Sequence, residues 1–79
     1  MKNAHGKIVS SQVEPYESPK SSHGIITILT PSNDYMKFNV DAYTDYDTLQ
    51  EGKTVDVHYE EKPDTLELFA KRVVEKDSQ

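Results

Sequence analysis

At 79 residues the chain has room for one hydrophobic core and not for two. Its balance of 14 Asp and Glu against 9 Lys and Arg, a net −5, argues against a protein that binds nucleic acid through bulk phosphate neutralisation. The absence of Cys excludes a disulfide scaffold and any thiolate metal site.

The opening stretch MKNAHGKIVSS lacks the apolar centre of a signal peptide. No apolar run approaches the ~20 residues of a membrane-spanning helix. The expected compartment is therefore the cytoplasm. One domain is expected over residues 1–79, with its core in residues 6–74 and a frayed tail at 75–79.

Residues 7–13, KIVSSQV, are β-branched and polar, which fits a first strand following Gly6. EPYESPKSSHG follows, with Pro15, Pro19 and a closing glycine, and reads as a long loop. GIITILT is a second strand that Pro31 stops. PSND is a turn, with Asn33 and Asp34 suited to left-handed or Asx positions.

YMKFNVD alternates without interruption. Met36, Phe38 and Val40 share one face; Tyr35, Lys37, Asn39 and Asp41 share the other, the period-two signature of a half-buried strand. In AYTDYDTLQEG the alternation fails. Thr44 followed by Asp47 predicts a capped helical turn that Gly52 ends. KTVDVHYE alternates again, with Val55, Val57 and Tyr59 inward. EKPD turns the chain into a last strand, TLELFAKRVV, with Leu66, Leu68 and Ala70 inward.

Five short strands without a long helix predict an all-β, small barrel. The inward set also includes Ile8, Ile26, Ile28 and Leu49. An SH3-like barrel satisfies the same alternation as an OB-like one.

Several segments, in order, resemble the cold-shock family of OB-folds. GKI at Gly6–Ile8 is similar to the family's opening G-K-V, and HGIIT to the F-G-F-I-T of its first RNA-binding motif. YDTLQEGKTVDVHYEE resembles aromatic-x-T-L-x-x-G-x-x-V, with Tyr46, Thr48, Leu49, Gly52 and Val55 in place. MKFNV lies where the second motif, V-F-V-H-F, belongs, and AKRV is similar to the closing A-x-x-V. The resemblance implies a five-stranded, Greek-key OB-like (cold-shock-like) barrel. Its loop between the first two strands is enlarged, and one short helical turn precedes the fourth strand.

The same resemblance implies a binding face on the first three strands, where the family stacks bases on aromatic rings. Here Ser10 and Ser11 stand for a Trp and a Phe, and His23 and Ile25 for two Phe. Lys37, Asn39 and Val40 replace Phe, His and Phe. Each base–ring stack contributes ~1–3 kcal/mol, so single-stranded binding is expected to be weak or altered. Its candidate residues are Lys7, Ser10, His23, Ile25, Lys37 and Asn39, with His23, Ile25 and Lys37 carrying most of the energy. Tyr16 and Lys20 in the long loop are candidate replacement contacts.

An alternative site for a protein partner is the acidic, tyrosine-bearing segment with Asp41, Tyr43, Asp45, Tyr46, Asp47 and Glu51. Its spacing lacks the D-x-[DN]-x-[DN]-G order of a calcium loop. His5, His23 and His58 lack zinc-ligand spacing. No nucleophile elbow, phosphate loop or dinucleotide turn occurs. The expectation is a binding module, not an enzyme, with no cofactor and no metal.

Overall fold

The computed structural model describes residues 1–15 and 22–76. They form six strands: β1 (Lys2–Pro15), β2 (Ser22–Leu29), β3 (Tyr35–Val40), β4 (Asp45–Tyr46), β5 (Thr54–Glu61) and β6 (Leu68–Glu75). No helix occurs among the described residues.

The strands are ordered β3-β2-β1-β5-β6-β4, and β3 also pairs with β6. Strands β1, β2, β3, β5 and β6 thus close into a five-stranded barrel, with β4 as a short outer strand on β6. The closing pair, Asn39 with Phe69, is parallel. A parallel pair needs a crossover rather than a hairpin, and the segment carrying β4 and β5 supplies it. This connectivity is OB-like and decides between the two barrels that alternation alone allows.

β1 is longer than the sequence predicts because two neighbours share it. Residues 2–7 pair with β5, and residues 7–15 pair with β2. A bulge between Ile8 and Ser10 leaves Val9 unpaired and bends the strand from one neighbour to the other. Gly6, expected just ahead of the strand, lies within it. A Cβ there would stand 2.5 Å from the Leu29 carbonyl oxygen, so only glycine admits this approach of β2.

The predicted loop over residues 14–24 shrinks likewise. The β1–β2 ladder continues to Pro15 opposite Ser22. Gly24 lies inside it with φ 144°, where a Cβ would fall 2.1 Å from the Gln12 carbonyl oxygen. Tyr16 and Lys20 lie outside the described residues.

The helical turn expected after Thr44 is replaced by turns and β4. The Thr44 N–H donates to the Asp41 carbonyl at 3.1 Å, and the Asp41 carboxylate accepts the Tyr43 N–H at 2.9 Å. The Thr44 hydroxyl, buried, donates to the Ala70 carbonyl at 2.7 Å, so it anchors the segment to β6 and caps nothing. Leu49 reaches the core from this non-helical stretch.

Phe38, Ile8, Ile26, Ile28, Val55, Val57 and Val73 are fully buried, and Met36 and Leu68 pack against them. Two expectations fail on β6. Lys71 is a second bulge, since His58 pairs with Arg72 but Tyr59 pairs with Ala70. The bulge resets the alternation and sends Val73 inward after Ala70. Leu66, expected in the core, sits in the preceding loop with φ 61° and is 69% exposed. At the end of β6 the Glu75 N–H donates to Asp47 and the Lys76 N–H to the Thr54 carbonyl. Residues 77–79 lie outside the described residues.

Candidate nucleic-acid interface

Directly opposed residues in a sheet point to the same side. Ile8, Ile28 and Met36 form one inward row, and Ser11, Ile26 and Phe38 the next. The outward rows between and beside them are Lys7–Leu29–Tyr35, Ser10–Thr27–Lys37 and Gln12–Ile25–Asn39. Rows on one face repeat every two residues, about 7 Å along the strand, and three strands span about 10 Å across. Five of the six residues expected at this site therefore share one platform.

None of these three rows contains a carboxylate, although acidic residues outnumber basic ones in the chain. Lys7 and Lys37 are exposed and make no ion pair among the described residues. Lys2, Lys53, Lys71 and Lys76 by contrast all pair with Asp or Glu. The same rows expose apolar surface at Tyr35, 68%, and Ile25, 41%.

Tyr35 is the residue that the sequence comparison missed. It falls outside the positions matched to the cold-shock motifs, yet the alternation of YMKFNVD already placed it beside Lys37. It adds a ring to a face on which only His23, Ile25 and Lys37 were expected to matter. Asn39 moves in the other direction. It is half-buried, and its side-chain amide donates to the Leu68 carbonyl at 3.3 Å, so it helps hold the barrel closed. His23 lies at the margin, half-buried and opposite Glu14, and lines a surface depression with Gln12, Val13 and Gly24.

In the acidic segment most carboxylates accept backbone N–H groups. The Asp47 carboxylate accepts the Glu75 N–H at 3.2 Å, and Glu51 accepts the Ser11 N–H at 3.3 Å. With the Asx turn at Asp41, three of its four carboxylates fasten residues 41–51 to themselves and to the barrel. Asp45 lies opposite Arg72. Tyr43 is 85% exposed, whereas Tyr46 packs against the core. Among the described residues no group of three or more His, Asp or Glu is placed to hold a metal.

One charged cluster was not foreseen. His5 Nδ1 lies 2.8 Å from Asp56 Oδ1, and Lys76 Nζ lies 3.2 Å from Asp56 Oδ2. The hydrogen bond with His5, then the contact with Lys76, holds the Asp56 carboxyl below its ordinary range against an opposing effect of burial. His5 and Asp56 face each other across β1 and β5, a pairing that only the register reveals.

No protein-family model, curated protein or solved structure matches this chain. No helix of the described residues is long and apolar enough to cross a membrane.

Proposed function

We propose that the chain is a small, non-enzymatic binding module that takes single-stranded nucleic acid weakly on the outer face of β1, β2 and β3. The observation that carries this reading is the charge segregation. Three adjacent outward rows of an acidic protein hold no carboxylate, Glu14 entering only in the next row opposite His23. They carry two lysines without an ion pair among the described residues, beside an exposed tyrosine. A ring for stacking and cations for the backbone are the two elements of sequence-tolerant single-strand binding. The motif resemblance to cold-shock proteins supports the same face.

One ring contributes ~1–3 kcal/mol per stacked base, and two phosphate contacts give a single-strand salt slope of about −1.4. Affinity in the high micromolar range follows, well short of a face with four or five rings. Fluorescence anisotropy of a labelled oligo-dT at two salt concentrations tests this. Tyr35→Ala should weaken binding about fivefold or more, and Lys37→Glu should weaken it and flatten the salt slope by about one ion. Absence of binding at high micromolar protein, or binding indifferent to both substitutions, would refute the assignment. The exposed Tyr43 would then make a protein partner on residues 41–51 the better reading.

A further inference from the structure

A cleft of about 660 Å3 opens beside the β5–β6 loop and shares no residue with the three outward rows of β1, β2 and β3. Met1, Pro63 and Leu66 give it apolar walls, Tyr59 lines it from the barrel side, and the Lys2–Glu61 ion pair at 3.2 Å borders it.

Three features mark this cleft. Tyr59 is nine-tenths buried, with its ring 5.0 Å from that of Phe38. Its hydroxyl makes no hydrogen bond among the described residues and is open to solvent at the cleft, within reach of an incoming acceptor. Leu66 holds the left-handed conformation, φ 61°, which is costly for a large side chain. The loop closes around it through Leu66 N–H to the Lys62 carbonyl and Lys62 N–H to the Glu67 carbonyl, each 2.8 Å. The strained backbone serves no packing, because the side chain is directed outward. Finally, Glu60 and Glu61 are matched by Lys71 and Lys2, but Asp64 and Glu67, on either side of Leu66, are exposed and have no ionic partner among the described residues.

We infer that this cleft docks a short segment of a partner protein in which an apolar side chain is flanked by lysine or arginine. The apolar group is covered by Met1, Pro63 and Leu66. The Tyr59 hydroxyl donates to a backbone carbonyl of the segment, and the basic side chains meet Asp64 and Glu67. The four carboxylates of residues 60–67 turn a phosphate backbone away, so this site and the oligonucleotide face take opposite charges.

The probe is a fluorescein-labelled peptide of two leucines between pairs of lysines, read by anisotropy against the full chain. Wild type should bind it at high micromolar concentration or tighter. Leu66→Asn suits the left-handed backbone, so its thermal midpoint should hold or rise while affinity falls about fivefold, the loss of one partly covered apolar side chain. Tyr59→Phe keeps the ring against Phe38 and should lose about threefold with the hydroxyl. A peptide with serines for the leucines should bind about fivefold more weakly. No binding of the leucine peptide, equal binding by Leu66→Asn, or equal binding of the serine peptide would overturn the inference. So would displacement of the peptide by oligo-dT. If Leu66→Asn does not fold, Tyr59→Phe and the serine peptide still decide. None of these readouts depends on whether the β1–β3 face binds an oligonucleotide.

Discussion

Replacing Phe38 by alanine tests the barrel at its centre. The side chain is fully buried and meets the Tyr59 ring at a centroid distance of 5.0 Å and an interplanar angle of 57°. Truncating a buried Phe costs ~3–5 kcal/mol, including the ~0.5–1.5 kcal/mol of a tilted aromatic pair. At ~0.05–0.15 kcal/mol per residue a chain of this length holds roughly 4–12 kcal/mol. The substitution therefore removes between a quarter of the stability and all of it. In a domain of this size each kcal/mol moves the thermal midpoint about 4–8 °C, so the drop should be at least about 12 °C. Phe38→Leu keeps an apolar group in the site and should lose about 1–2 kcal/mol. Circular dichroism melts of the three proteins give the comparison. A midpoint for Phe38→Ala within a degree or two of wild type would mean that the ring does not fill the barrel and that the β3 register is wrong.

Gly24→Ala should cost more than an ordinary glycine substitution, above ~2 kcal/mol by urea midpoint, because φ and the contact with Gln12 both oppose a side chain. A neutral result would show that β2 does not approach β1 as described. Asp56 gives the chain an acid-sensitive contribution. Its folded carboxyl titrates below its ordinary value, so the stabilisation is complete above the unfolded pKa and is lost as pH falls through the folded one. Asp56→Asn should lower the urea midpoint at pH 7 and lose that difference near pH 2; a difference unchanged across that interval would remove the His5–Asp56 contact from the account.

What the sequence disclosed and what it concealed follow one physical division. The alternation of β3 and β5 was legible from residues 35 and 54 onward: Phe38, Val40, Val55, Val57 and Tyr59 are buried, whereas Met36 at the start of β3 is half-buried, as is the outward Asn39. The bulges were not. Val9 and Lys71 each add a residue on one strand only, and nothing in KIVSS or AKRVV announces which residue steps out. Past Lys71 the expected face is therefore displaced, and Val73 was missed. Leu66 was misplaced because an apolar residue in a loop looks like one in a strand until its backbone angle is known. At the candidate site, the shared face of Lys37 and Tyr35 was readable from period two. The absence of carboxylates from three successive rows needed the register, because it is a property of neighbours far apart in the chain.

The closure of the barrel has a consequence for how the molecule opens. β3 and β6 meet at a single bridge between residues 39 and 69, reinforced by the Asn39 amide on the Leu68 carbonyl. Closing a loop of thirty residues costs about 3 kcal/mol in chain entropy, more than the ~1 kcal/mol net of one or two such hydrogen bonds. The seam is thus held by what lies behind it, with Phe38 and Val40 on one side and Ala70 and Val73 on the other. It is the natural parting line of the domain. The β1–β2–β3 meander, with its long ladders, can stay paired while β6 swings away, so amide protons at the seam exchange by local opening before those of β1 and β2.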